Sequence, residues 1–180
     1  MHHLRYALFA TLALLAILAL AACSRSPSAT DWHTGDSLVI RVKEMRRVEE
    51  VRYTDTDGKH YIIRPGQDDR QLAVGRLEVR TKEANVVYFS INKDALRLRD
   101  TKYLDYKAID PFQQRQEVDG SGVAENTLLP FIWGDVEMPA TCGEQRLYCE
   151  LVGWVLFDVP RDIGFYQMIW DAADTIYMNF

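Results

Sequence analysis

From Leu38 onward the apolar residues recur mostly at every second position, and that period is the mark of strands with one face buried and one face wet. Leu38, Ile40 and Val42 share a face while Arg41 and Lys43 take the other. Arg76-Leu77-Glu78-Val79-Arg80 repeats the alternation, as do Val87, Phe89 and Ile91 against Tyr88, Ser90 and Asn92, and Leu96 and Leu98 against Arg97 and Arg99. Leu151 to Val159 is apolar at both parities, which suits a central strand covered on both faces. Tyr166, Met168 and Trp170, then Ile176, Met178 and Phe180, supply two more strands. Turn chemistry separates these runs: Asp55-Thr56-Asp57-Gly58 predicts a hairpin loop with Gly58 free to take positive φ, and Pro65-Gly66, Asp119 to Gly122 and Pro160 to Gly164 are further breaks. No long amphipathic helix competes, so the pattern predicts an all-β antiparallel sandwich or barrel.

The first 23 residues follow a different rule. Arg5 precedes an apolar stretch, Ala7 to Ala22, interrupted only by Thr11. That is the layout of a signal peptide, shorter than the roughly 20 apolar residues of a spanning helix. Leu20-Ala21-Ala22-Cys23 resembles the lipobox of bacterial lipoproteins, in which the cysteine thiol is acylated before cleavage. The resemblance implies a signal peptide over 1–22, lipidation of Cys23, and a stable membrane anchor, because two or more acyl chains hold where one does not. Ser24 stands where an aspartate would retain such a protein at the inner membrane, which implies the outer membrane, facing the periplasm. Ser24 to Thr30 is small and polar, and residues 23–35 read as a flexible tether before one domain over 36–180.

Cleavage would remove one charged residue, Arg5, leaving 20 Lys and Arg against 26 Asp and Glu, a net charge near −6. An acidic chain of this kind lacks the concentrated basic face that nucleic-acid binding needs. Cys142 and Cys149 are separated by six residues in a chain read as exported, where disulfides persist, so a structural bridge is the expectation. Free thiols, or redox or metal chemistry, are the alternatives. A zinc site would want more ligands nearby, and no histidine follows His60.

Ala95-Leu96-Arg97-Leu98-Arg99-Asp100, taken with Gly153-Trp154-Val155-Leu156-Phe157-Asp158-Val159-Pro160, resembles exported immunoglobulin-like domains, the family catalogued as domain of unknown function 4352. The resemblance covers roughly Leu38 to Leu104 and Leu151 to Phe180. It implies an immunoglobulin-like antiparallel β-sandwich and no particular chemistry. The chain departs from the pattern near 108–150, where an insertion carries the Leu128 to Trp133 cluster and both later cysteines.

Candidate catalytic groups are few. After cleavage His33 and His60 would be the histidines left; both read as solvated surface residues, with a carboxylate–histidine pair to Asp31 or Asp36 the alternative for His33. Ser121 in Gly120-Ser121-Gly122 lacks the spacing of a nucleophile elbow. Asp55-x-Asp57-Gly58 puts its glycine too early for a calcium loop. Adjacent carboxylates such as Glu49-Glu50 and Asp68-Asp69 would point to opposite faces of a strand. No catalytic residue, metal or cofactor is expected.

The apolar run Leu128-Leu129-Pro130-Phe131-Ile132-Trp133 has two readings: it folds back over the sandwich, or Phe131, Ile132 and Trp133 form a patch for an envelope protein partner. The sequence thus predicts a non-enzymatic, lipid-anchored interaction or accessory module. A small-ligand or metal-binding lipoprotein, its pocket lined by some of the four tryptophans and nine tyrosines, is the second reading. An envelope hydrolase is the third.

Overall fold

The computed structural model describes residues 28–82, 86–120, 128–139 and 149–180. Residues 1–22, Cys23, Ser121 and Cys142 lie outside the described residues. Along the chain the elements are β1 (His33–Thr34), β2 (Leu38–Val48), β3 (Val51–Thr54), β4 (His60–Ile63), β5 (Arg70–Thr81), β6 (Val87–Ile91), β7 (Leu96–Asp100), β8 (Asp105–Lys107), α1 (Pro111–Gln114), β9 (Gln116–Val118), β10 (Gly134–Met138), β11 (Glu150–Pro160), β12 (Phe165–Ala172) and β13 (Asp174–Asn179). The architecture is all-β, built from antiparallel sheets. One four-stranded sheet runs β1-β2-β5-β11, and a second runs β13-β12-β7-β8.

The period-two pattern explains what fills the space between them. Leu38, Ile40 and Val42 of β2, Leu77 and Val79 of β5, and Val155, Phe157 and Val159 of β11 meet Leu96, Leu98, Met168, Trp170, Ile176 and Met178 of the second sheet in one buried cluster. Trp170 is fully enclosed, with Phe89 and Phe131 edge-on to its ring at 5.5 and 6.2 Å between centroids. Its indole N–H donates to the Ala172 carbonyl at 2.6 Å, as a buried tryptophan must find a partner. The paired strands β6 and β10 add Val87, Ile91, Val136 and Met138 to the same core.

The two sheets also touch through backbone at both edges. Ala108 bridges Phe157, and the Ile109 N–H donates to the Leu156 carbonyl at 2.9 Å. At the opposite edge Ala29 donates its N–H to Asn179 and accepts the Val42 N–H at 2.8 Å. Ala29 is fully buried and His33 nearly so. The folded domain therefore starts before residue 36, and part of the expected tether is spent on closing the sandwich. His33 is not a solvated linker residue: its Nε2 lies 2.9 Å from the Ser28 carbonyl.

A smaller sheet, β3-β4-β9, covers part of the outer face of β5 and β11. The expected hairpin joins β3 to β4, with Gly58 at φ 77°. Val51, Tyr53, Tyr61 and Ile63 pack on Leu72, Val74, Trp154 and Leu156 in a second cluster. That outer cluster is why β11 is apolar on both faces. Arg115, between α1 and β9, ties the layer together, bonding Asp55 and the Tyr53 hydroxyl and stacking 4.0 Å above the Tyr61 ring. The region expected as an insertion is thus woven into the fold: β9 pairs with β4 and β10 with β6.

Candidate interaction face

The outward positions of β2 and β5, next to the part covered by β3-β4-β9, carry charge. Register sets Arg41 opposite Glu78, Lys43 opposite Arg76 and Val39 opposite Arg80. On the other side of β5, Arg76 faces Trp154 and Arg80 faces Glu150. Glu78 is only 2% exposed and gathers three cations: Arg41 Nε at 2.5 Å, Arg76 Nε at 2.8 Å and Lys43 Nζ at 3.8 Å. Burial pushes the Glu78 carboxyl up, but the Arg41 hydrogen bond and the surrounding positive charge outweigh it, so the group sits below the usual carboxylate range.

Trp32 completes the arrangement. The Arg41 and Arg80 guanidiniums each stack 4.1 Å from its ring, within the range of cation–π attraction. Among the described residues the Nε of Arg80 has no hydrogen-bond partner, and the same side chain reaches Glu150 at 3.3 Å. These side chains stay accessible: Arg41 is 21%, Arg80 31% and Arg76 39% exposed.

A bulge re-aims β2 beside this cluster. Lys43 pairs with Arg76 and Arg46 with Val74, so Glu44 and Met45 together oppose Gly75. Glu44 takes φ 56°, a left-handed conformation that costs energy for a residue with a Cβ. Bulges of this kind redirect side chains next to functional sites. The result is a cleft of about 290 Å³ lined by Glu44, Arg46, Val74, Gly75, Arg76, Leu128 and Trp154. Arg41, Lys43, Arg46, Arg76 and Arg80 thus outnumber Glu44, Glu78 and Glu150 on a chain whose overall charge is negative. Guanidiniums held in place by stacking and ion pairs suit planar, bidentate recognition of carboxylates.

The predicted site residues fall elsewhere. Phe131 is 2% exposed and lies in the main core; Trp133 packs partly buried against that core; Ile132 remains 40% exposed. The segment Leu128 to Phe131 runs along β11, with Phe131 N–H donating to the Trp154 carbonyl at 2.8 Å and Trp154 N–H to the Leu129 carbonyl at 3.1 Å. The Trp154 indole N–H donates to the Leu128 carbonyl at 2.8 Å. Cys149 is buried at the start of β11; its expected partner Cys142 lies outside the described residues. His60 Nδ1 is 2.9 Å from the Thr54 hydroxyl. Among the described residues no three His, Cys, Asp or Glu side chains are grouped as metal ligands.

No protein-family model matches this chain, and no curated protein or solved structure is significantly similar to it. Its function must be argued from its own surface. Only part of the arginine face is visible in the sequence, as cations at alternate positions of β2 and β5. What a sequence cannot display is that the two rows lie side by side, or that Trp32 sits between them.

Proposed function

We propose that this protein is a non-enzymatic, lipid-anchored lipoprotein of the cell envelope that serves as an interaction or accessory module, its arginine face taking an acidic segment of another envelope protein. The observation that carries the reading is Trp32 held between Arg41 and Arg80, beside Glu78 and its cations. Tryptophan and arginine dominate binding hot spots, and cations steer an acidic partner at a rate that falls with salt. The lipobox-like Leu20 to Cys23 supports the anchor, and Ser24 supports the outer membrane. The likeness to exported immunoglobulin-like domains belongs to the same reading, as does a bridge between Cys142 and Cys149. Of the Phe131 to Trp133 cluster, Ile132 is the side chain left most open to a partner.

The test is cross-linked purification of the acylated protein from its native membrane, beside Arg41→Glu and Arg80→Glu versions with checked melting temperatures. Near-stoichiometric recovery of one envelope protein, lost on charge reversal and weakened by salt, is expected. Recovery that ignores both reversals would overturn the assignment of the face. A second reading rests on the cleft at Arg46, Arg76 and Trp154: a small anionic ligand there would quench Trp154 fluorescence, and the partner pull-down would come back empty.

A further inference from the structure

The end of the sandwich at which the chain enters carries a cluster of exposed rings. Ser28, the first described residue, bridges Asn179, and Phe180 N–H donates to the Tyr166 carbonyl at 2.9 Å. Tyr166 meets Tyr103 edge-on at 5.2 Å between centroids, and Phe165 lies 6.0 Å from Phe180. Tyr103 is 68% exposed, Leu104 56%, Phe180 41% and Tyr166 37%. Apolar groups gathered this way on a soluble surface ask for an occupant.

The β7–β8 turn presents two of them deliberately. Asp100, buried, accepts the N–H groups of Lys102 at 2.8 Å and Leu104 at 2.9 Å and the Tyr106 hydroxyl at 3.1 Å. Thr101 N–H donates to Gly164 at 3.0 Å, locking the turn against the next loop. Within this frame Tyr103 adopts φ 63°, a conformation that a bulky side chain rarely takes. The strain buries nothing. A left-handed residue closes this short hairpin, with Tyr103 N–H donating to Asp100 and Asp100 N–H to Leu104, each at 3.0 Å, and placing a tyrosine there holds its ring and Leu104 outward beside Tyr166.

The length of chain before Ser28 says what lies opposite. From Cys23 to Ser28 is five residue steps, which reach about 17 Å when fully extended. An acylated Cys23 sits at the level of the lipid headgroups, so Ser28 is kept within that distance of the bilayer, and the end that carries Phe180, Tyr166 and Tyr103 is the one on which Ser28 sits. Aromatic side chains with one apolar and one polar end favour that interface.

We propose that Tyr103, Leu104, Tyr166 and Phe180 dock into the headgroup region of the phospholipid leaflet that holds the anchor, fixing how the domain stands on the membrane; this rests on the lipid-anchor reading above. The far end, where Tyr88 and Ala173 border one cleft, then faces away from the bilayer.

The test uses full-length acylated protein in vesicles of phosphatidylethanolamine and phosphatidylglycerol, with an environment-sensitive fluorophore on Leu104→Cys or, as the distal control, on Tyr88→Cys. Nitroxide-bearing lipids should quench the label at 104 several-fold more than the label at 88, with a blue-shifted emission at 104 alone. Tyr103→Gly, which relieves the positive φ, should weaken that quenching while leaving the melting temperature at or above the parent's. Equal quenching at the two positions, with Cys23 acylated by mass spectrometry, overturns docking and leaves the anchor intact. An unacylated Cys23 overturns both. Shielding of 104 in native membranes but not in protein-free vesicles would also overturn lipid docking, in favour of a protein occupant.

Discussion

Gly153 faces the backbone of the Leu128 to Phe131 segment, and a methyl group there has nowhere to go. A Cβ built on Gly153 would lie 2.4 Å from Phe131 Cα, 2.5 Å from Phe131 N and 2.9 Å from Pro130 C. Main-chain atoms cannot swing aside as a flexible side chain can, so the segment must retreat by about 1 Å to restore ordinary contact. That stretches the 2.8 Å bond from Phe131 N to the Trp154 carbonyl and the 3.1 Å bond from Trp154 N to Leu129 beyond useful range. Two such bonds contribute about 1 kcal/mol each. Drawing Phe131 part-way out of the core adds about a third of the 3–5 kcal/mol that truncating a buried phenylalanine costs, or 1 to 2 kcal/mol. Gly153→Ala should therefore lose roughly 3 to 4 kcal/mol, a large share of a typical stability of about 5 to 15 kcal/mol. In a domain of this size that is a fall of roughly 6 to 16 °C in melting temperature. Thermal and urea unfolding followed by circular dichroism would measure it. Phe131→Ala combined with Gly153→Ala should cost less than the sum of the two, because both act through one contact. A Gly153→Ala protein melting within about 2 °C of the parent would refute the argument that close backbone approach seats Phe131 in the core.

Three further outcomes are expected. Burial pushes the Asp100 carboxyl up, but the N–H groups of Leu104 and Lys102 and the Tyr106 hydroxyl pull it down further, so it sits below the usual carboxylate value. Its folded pKa being the lower one, its stabilisation is full above the unfolded value of about 3.9 and is lost as pH falls through the folded one. Asp100→Asn should lower the urea midpoint at pH 7, by an amount that shrinks as the pH falls below the unfolded value; a loss that does not change with pH would show that the charge contributes nothing. Glu78→Gln removes the countercharge of Arg41, Arg76 and Lys43 and should cost about 1 to 2 kcal/mol at neutral pH, the low end for bonds between charged groups because the cations are partly exposed. An unchanged urea midpoint would show that those pairs add nothing to stability. For Cys142 and Cys149, thiol counting on the unfolded, unreduced protein should find neither free. Reduction should then lower stability by about 2.5 kcal/mol, the chain-entropy value for an eight-residue loop, and two titratable thiols before reduction would end the bridge.

The strand pattern was legible because it is local. Alternation along β2, β5, β6, β7 and β11 needs no knowledge of neighbours, and the β3–β4 hairpin follows from Asp57-Gly58. His33 misled for the same reason: its setting looks like a linker, and only the return of Ser28 to β13 encloses it. The Leu128 to Trp133 run offered two readings that sequence alone could not separate. Phe131 enters the core because Gly153, more than twenty residues later, leaves a gap for its backbone.

What the chain's own order of residues settles is the all-β class, the places where strands break and the sorting of apolar from charged faces, since each depends on residues within a turn or two of one another. Tertiary structure decides which rows become neighbours. The arginine face requires β2 and β5 to pair in one register, with a bulge at Glu44–Met45, and Trp32 to lie between Arg41 and Arg80. The aromatic end requires β7, β12 and β13 to finish beside Ser28. A shift of one residue in either pairing would turn every side chain to the opposite face. Register is selected by burial across the whole sandwich, and no short stretch of sequence records that sum.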